Sequence, residues 1–362
     1  PRTMNDEHNI TGGTVPFTFK IMLLIGTLFT FNVSANSLTT IIELSESKPP
    51  APLLPRAHFM QLEPLHDVSL SPDGRYLSYI QIMTNHSELW LMNINDNSHQ
   101  ILFSNKDMHN SHWSTDSQFL FVENNKGLMG ISVVENSFPK LITSLDQNKD
   151  QYFYAVDDSH DQAVITSEKN LQTKVHQLFR VLTDSSKQLL YSSQERVVDF
   201  LLDDDGHLAF IKQVNGEGAD LLDVREPGMK LIKHCEFYNA CSMQRFDKKT
   251  NSLLMKARFE QDLISVFSID LETLNTQLLH QDPKGKFDLA SLYFDGEGKH
   301  RLAVYEDHYL SQYGLDKDTQ RQIDKIKLEL AKLTKKDSVW ILRPDSSLER
   351  WLAIDMSPNK SI

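Results

Sequence analysis

Aspartates recur along the chain at Asp73, Asp116, Asp158, Asp205, Asp247, Asp295 and Asp345, about 42 to 50 residues apart. A carboxylate is the group that performs general acid–base chemistry or holds a hard cation. Fourteen histidines accompany them, among them His109, His112, His160, His176, His300 and His308, and imidazole is a common metal ligand. The spacing does not favour either chemistry. No pair of histidines sits at helical ligand spacing beside a carboxylate, and Asp203-Asp204-Asp205 lacks the alternation of an EF-hand loop. Gly-x-Ser-x-Gly, His-Glu-x-x-His and a phosphate-binding glycine loop are all missing from the 362 residues. Gly216-Glu217-Gly218 and Gly296-Glu297-Gly298 have no third glycine or following helix. No catalytic, cofactor-binding or metal-binding residue is therefore assigned, and no cofactor is expected.

What surrounds each aspartate explains it better. In Leu70–Ile80, LSPDGRYLSYI, Pro72-Asp73-Gly74 is a tight turn between an alternating strand ending at Leu70 and a returning strand from Tyr76 to Met83. Glu88–Ile94 and Gln100–Phe103 continue the sheet to four strands. The same order returns around Asp116, with strands at Phe119–Val122, Gly127–Val134 and Lys140–Ile142. It returns again around Asp158 and Asp205, and more weakly around Asp247, Asp295 and Asp345. A carboxylate in such a turn accepts backbone N–H groups, and Gly74, Gly206 and Gly296 are expected to supply positive φ. Trp90, Trp113, Trp340 and Trp351 fall in or beside strands and read as packing between sheets.

A repeat of this length whose unit is a four-stranded sheet predicts a β-propeller, because one such sheet cannot cover both its faces alone. The expected fold is all-β: a seven-bladed β-propeller of four-stranded antiparallel blades, the last blade incomplete, with one helical excursion near residues 317–335. Lys317–Lys335 contains neither Gly nor Pro, and Ile323, Ile326, Leu330 and Leu333 share one helical face. Asp316 or Asp318 is placed to cap it.

A formal net charge of −12 with no Lys/Arg stripe excludes nucleic acid as a partner. Lys20, the apolar run Ile21–Phe31 and the small residues before Ala35 have the order of an export signal cut after Ala35. About 11 apolar residues are too few to span a bilayer, which takes roughly 20. The expected organisation is signal peptide and upstream residues 1–35, linker 36–56 and propeller 57–362. The location is periplasmic or secreted, with no stable membrane insertion after cleavage. Cys235 and Cys241 are the only cysteines, and in an oxidising compartment they are a candidate disulfide.

LSPDGRYLSYI with ELWLMNI, LYFDGEGKHRLAVYEDHYLSQYGLD, the helix from Lys317 to Lys335 and VWILRPDSSLERWLAI together resemble the N-terminal propeller of the prolyl oligopeptidase family of serine peptidases. The resemblance is to the exported dipeptidyl and acylaminoacyl peptidase branch, over roughly Ala57 to the end. It implies a propeller that covers an α/β-hydrolase domain and filters short peptides towards a Ser-Asp-His triad. No position here matches a family catalytic residue, and the seventh blade is expected to stop after two strands. The implied reading is a substrate-gating propeller, inactive alone and cut short before its catalytic domain, whose partners are short peptides reached through that domain. A free-standing periplasmic propeller acting as a protein-binding scaffold is the alternative. A propeller enzyme with its site in the central channel would need inward-facing carboxylates from several blades.

Overall fold

Short alternating strands joined by Asx-type turns give the chain its unit, an antiparallel meander. The computed structural model describes residues 65–355 except 136–137, 147–148, 226, 307–310 and 333–338. The side chains of residues 339–340, 342–343 and 354–355 are also left undescribed. The expected export signal, the linker and the end of the expected helix lie outside the described residues.

Blade 1 is β1 (Leu65–Leu70), β2 (Tyr76–Ile82), β3 (Ser87–Asn93) and β4 (His99–Asn105). Blade 2 is β5 (Met108–Trp113), β6 (Phe119–Asn124), β7 (Gly127–Ser132) and β8 (Lys140–Thr143). Blade 3 is β9 (Tyr152–Val156), β10 (Ala163–Lys169), β11 (His176–Leu182) and β12 (Lys187–Ser193). Blade 4 is β13 (Val197–Leu202), β14 (Leu208–Asn215), β15 (Gly218–Asp223) and β16 (Lys230–Glu236). Blade 5 is β17 (Ser242–Asp247), β18 (Ser252–Ala257), β19 (Ser265–Asp270) and β20 (Thr276–His280). Blade 6 has three strands, β21 (Leu289–Phe294), β22 (His300–Tyr305) and β23 (Ser311–Gly314), followed by helix α1 (Lys317–Ala331). A two-stranded hairpin, β24 (Val339–Pro344) and β25 (Trp351–Asp355), completes the described chain.

The described residues thus form an all-β six-bladed propeller with one α-helix, which corrects the expected seven blades of four strands. Counting acidic turns overcounts blades, because such a turn marks an inner hairpin whether or not outer strands follow. The seventh turn, at Asp345, belongs to the two-stranded hairpin. In blade 6 the helix follows β23 at once and packs against it. Gly314 allows this: a Cβ there would lie 2.3 Å from the Gln320 backbone nitrogen. Asp316 caps α1 by accepting the Asp318 and Thr319 N–H groups, and against the opposing effect of burial its carboxyl is held down to about 2 by the Thr319 N–H and then by Arg301. Ile323 is buried, and Ile326 packs with it against Leu302, Val304 and Ile341.

The first strands meet across blades, β13 beside β17 and β1 beside β24, so they gather at the axis. Every first strand carries a register shift against its neighbour. Such bulges leave backbone groups outside the ladder, and side chains of the preceding blade bond backbone groups at or beside several of them. Asp67 accepts the Ser111 N–H and hydroxyl. The Tyr154 hydroxyl donates to the Val197 carbonyl at 2.7 Å. Asp199 accepts the Met243 N–H at 2.9 Å, and Lys212 donates to the Cys241 carbonyl just before β17. Lys256 donates to the Ala290 carbonyl. Buried Gln312 does both for Ile341, donating to its carbonyl and accepting its N–H. Blades 2 and 3 meet through apolar packing of Phe121, Leu128 and Ile142 on Val164 and Val181.

The hairpin lies between blades 6 and 1. Gly296 N–H donates to Ser346, Ser346 N–H donates to Pro72, and Arg350 reaches the Gly74 carbonyl and the Asn95 amide oxygen. The outer strands β4, β8, β12, β16 and β20 each carry a bulge at one recurring place. An exposed aliphatic residue pairs beside it: Ile101, Leu141, Leu189, Leu231 and Leu278. A bulged edge is a poor template for strand addition.

Asp199→Ala should cost about 1–3 kcal/mol in chemical denaturation, because the Met243 N–H loses its acceptor, whereas Asp199→Asn keeps an acceptor oxygen. Burial, the largest cause, pushes the Asp199 carboxyl above its ordinary value. That contribution is present below the unfolded value of about 3.9 and is lost as pH rises through the raised folded value. Relative to the parent, Asp199→Asn should therefore gain stability as pH rises from about 4. A parallel pH dependence in the two proteins would contradict this assignment.

Candidate functional site

The recurring aspartates are structural. Asp73 accepts the Ser71 hydroxyl and the Arg75 N–H, and Asp116 accepts the Ser114 hydroxyl and the Gln118 N–H. In blades 3 and 4 the turn-forming carboxylates are Asp157 and Asp203 rather than the expected Asp158 and Asp205. Asp157 accepts the Ser159 N–H and hydroxyl, and Asp203 accepts the N–H groups of Asp205 and His207. In blade 3 Ser-x-Asp has become Asp-x-Ser, which serves the same turn with the two roles exchanged, and in blade 4 it has become Asp-x-Asp. Asp247, Asp295 and Asp345 each accept at least two N–H groups of their own turns. In the blade 6 turn the positive φ falls on Gly298 rather than on the expected Gly296.

These turns also link to one another. Ser117 accepts from Asp73 N–H, Gln162 donates to Asp116, and Thr115 donates to Asp161. Arg180, buried and paired with Asp157, donates across to the Gly206 carbonyl. Carboxylates held in this way are fixed as acceptors and are not poised to move a proton.

Ionisable side chains also gather elsewhere among the described residues. Asp203, Asp205 and His207 bring donor atoms within 4.8 Å of one another. Asp205 and His207 are exposed, and Asp203 is already used by its own turn. The second cluster joins histidines that the sequence shows as scattered. His112 lies 3.0 Å from Glu123 on the neighbouring strand, Asn110 donates to the same carboxylate oxygen, and His109 bonds Asn125 at 3.1 Å. Glu123 was not singled out by the sequence, because it faces His112 only through the β5–β6 pairing. The His112 hydrogen bond, the largest cause, holds the Glu123 carboxyl below its ordinary range. Ser111 and Asp67 lie next to this pair, but the Ser111 hydroxyl bonds Asp67. Serine, histidine and carboxylates are adjacent without forming the serine–histidine relay that nucleophilic catalysis needs.

The third cluster surrounds His176, which with Asp150, Tyr152, Tyr154, Ser167 and Arg196 lines a narrow open pocket between blades 3 and 4. Among the other singled-out histidines, His160 bonds a backbone carbonyl, His300 is partly buried, and His308 lies outside the described residues. Trp113 is buried between blades 1 and 2 beside Tyr76, Trp90 stacks on Tyr79, and Trp351 packs near α1. The Trp340 side chain is not described.

Cys235 and Cys241 form a disulfide, with Cα atoms 6.2 Å apart, that ties β16 to the start of blade 5. The strap between them includes a 3-10 turn, Phe237–Asn239, that leaves Phe237 and Tyr238 about two-thirds exposed. No helix among the described residues is long and apolar enough to cross a membrane.

No protein-family profile matches the chain, and no curated protein matches it by sequence. Solved structures do. The oligogalacturonate lyase of Vibrio parahaemolyticus superposes with a TM-score of 0.50 at 13% identity, covering 68% of this chain and 73% of that one. The likeness is one of fold. The β-propeller domain of the trilobed protease of Pyrococcus furiosus matches at TM-score 0.45 and 12% identity, over 72% and 83% of the two chains. The acylaminoacyl peptidase of Pyrococcus horikoshii matches at 0.43 and 11%, over 73% of this chain and 47% of its own.

Two measurements test these assignments. The Glu123–His112 pair contributes stability above the unfolded glutamate value of about 4.3 and loses it as pH falls through the depressed folded value. Glu123→Gln should therefore destabilise at pH 5–6 and converge on the parent below that range; a constant difference down to pH 2 would show the pair is not coupled. Reducing the Cys235–Cys241 loop should cost about 2 kcal/mol, read as a lowered denaturation midpoint that Cys235→Ser reproduces.

Proposed function

We propose that this propeller is the substrate-gating portion of an exported serine peptidase of prolyl oligopeptidase type, with no nucleophile of its own. The observation that carries the reading is how the reactive side chains are used. Turn carboxylates accept backbone N–H groups, Asp67, Asp199 and Lys256 bond backbone groups at or beside the bulges of the next blade, and Lys212 bonds the Cys241 carbonyl ahead of β17. A ring so committed to holding its own blades acts by shape and access. The motifs from LSPDGRYLSYI to VWILRPDSSLERWLAI support the peptidase branch. A disulfide fits an oxidising compartment, in line with a signal cut after Ala35 and a periplasmic or secreted location.

A second reading has its own observation. The exposed pair Phe237 and Tyr238, held on a strap closed by a disulfide, favours a free-standing propeller used as a protein-binding scaffold, since rigid exposed aromatics suit interfaces.

The two readings separate at the gene. The reading frame after the Ile362 codon should encode an α/β-hydrolase segment with Gly-x-Ser-x-Gly, and the 362-residue chain should not react with a fluorophosphonate serine probe. A stop codon immediately after Ile362 would overturn gating in favour of the scaffold. Labelling of the chain itself would overturn both. Edman sequencing of the exported protein should begin at Asn36, and a start elsewhere would refute the predicted cut.

A further inference from the structure

The seam between blades 5 and 6 is tied toward the axis by the Lys256 ammonium, which donates to the Ala290 carbonyl. Farther out, His280 at the end of β20 meets Tyr305 at the end of β22, its Nδ1 lying 2.5 Å from the hydroxyl. Tyr305 is fully buried with Leu254, Val266, Leu289 and Ala303, while His280 is partly exposed beside it. Around the His280 ring stand Asp282 from the segment after β20, His300 and Tyr305 from β22 and Tyr313 from β23. The residue opposite it on β19 is the apolar Val266, and Lys284 reaches Ser311 at the start of β23. Asp282 is 1% exposed; its Oδ2 accepts the Lys286 and Phe287 N–H groups, and its Oδ1 has no hydrogen-bond partner among the described residues. Burial, then the Asp282 charge, push the Tyr305 hydroxyl above its ordinary value, so it keeps its proton. Burial, the largest cause, lowers the His280 pKa, so near pH 7 the ring is neutral, Nδ1 accepts from Tyr305 and Nε2 carries the hydrogen.

We propose that the His280–Tyr305 hydrogen bond is an acid-released clasp on this seam, closed while the imidazole is neutral and opened when it takes a proton from solvent. The added proton has to sit on Nδ1, the atom that accepts in the closed state. Two donors then face each other, and the Tyr305 O–H has to turn away. The acceptor on offer is the unpartnered Oδ1 of Asp282, whose carboxylate acts electrostatically on both rings. The imidazolium is left against the apolar cluster of the seam, where a charge is costly. β20 is the edge strand of blade 5 and pairs only with β19, so its end can part from blade 6 and carry the charged ring to water while the inner strands stay paired. The sign follows from the direction of the shift. The clasp contributes fully above the unfolded histidine value of about 6.5 and is lost as pH falls through the depressed folded value. It depends on neither the peptidase nor the scaffold reading.

Hydrogen exchange of the full 362-residue chain, corrected for the intrinsic pH dependence of exchange, reads the clasp directly. Between about pH 7.5 and about pH 5, peptides covering β20 and the segment to Lys286 should lose about threefold or more of their protection relative to β14 in blade 4. His280→Gln keeps an acceptor oxygen without titrating and should hold its protection at both pH values. Tyr305→Phe keeps the ring without the hydroxyl and should show the low, acid-like protection at both. Equal losses in the parent and His280→Gln, or a loss spread evenly over the blades, would overturn the clasp. Should a variant fail to fold, the parent decides alone. Nitrogen-15 NMR of the His280 ring should show a bare Nδ1 near pH 7.5 that takes up its proton below the ordinary histidine value, whereas a hydrogen on Nδ1 near pH 7.5 refutes the proposal.

Discussion

The interaction on which this ring depends is the pairing of backbone groups freed by a bulge in the first strand of one blade with a side chain from the blade before it. A bulge bends a strand and raises its twist, which lets first strands converge near an axis without colliding. It also leaves an N–H or a carbonyl without a ladder partner in a half-dry environment, where an unmet group costs about 1–3 kcal/mol. The partner is chosen by need. Where an N–H is freed, as at Ser111 and Met243, a carboxylate arrives. Where a carbonyl is freed, as at Val197 and Ala290, a tyrosine hydroxyl or a lysine ammonium arrives. Where both groups of Ile341 are free, an amide meets both. One geometric problem recurs around the ring, and several residue types solve it.

The same pairing decides how the ring closes. At the last junction the partner strand belongs to a hairpin rather than a four-stranded blade, yet Gln312 meets it as blades 1, 3, 4 and 5 meet theirs. Helix α1 covers the outer side of blade 6, and its buried Ile323 joins Leu302, Val304 and Ile341 in one apolar cluster. On the far side Ser346 and Arg350 reach Pro72, Gly74 and Asn95 of blade 1. These last bonds are between polar groups at partly exposed positions, so this junction is held less by apolar burial than the seams around Phe210, Met255 and Phe267.

This use of polar residues also explains why the catalytic appearance of the sequence does not survive folding. Asp67, Ser111, His112 and Glu123 lie near one another, a set of residue types associated with hydrolysis. Their hydrogen bonds run in separate pairs, Ser111 to Asp67 and His112 to Glu123. Each pair completes a strand or an inter-blade contact.

The sequence by itself determined the local unit. Alternating strands, Asx turns and a capped helix are set by residues a few positions apart, so the hairpin at Asp73, the four-stranded meanders and the start of α1 at Lys317 were all legible. It also showed that the turn aspartates are punctuation, although the working residue is Asp157 in the Asp-x-Ser turn of blade 3 and Asp203 in the Asp-x-Asp turn of blade 4. The blade count was not legible, because an acidic turn signals an inner hairpin without saying how many strands follow it. Nor were the pairs Asp199–Met243, Lys256–Ala290, Gln312–Ile341 and His112–Glu123. Those depend on register and on which blade lies beside which. A carboxylate, an ammonium and an amide share no motif; what they share is a freed backbone group opposite them, and that exists only once the blades have packed.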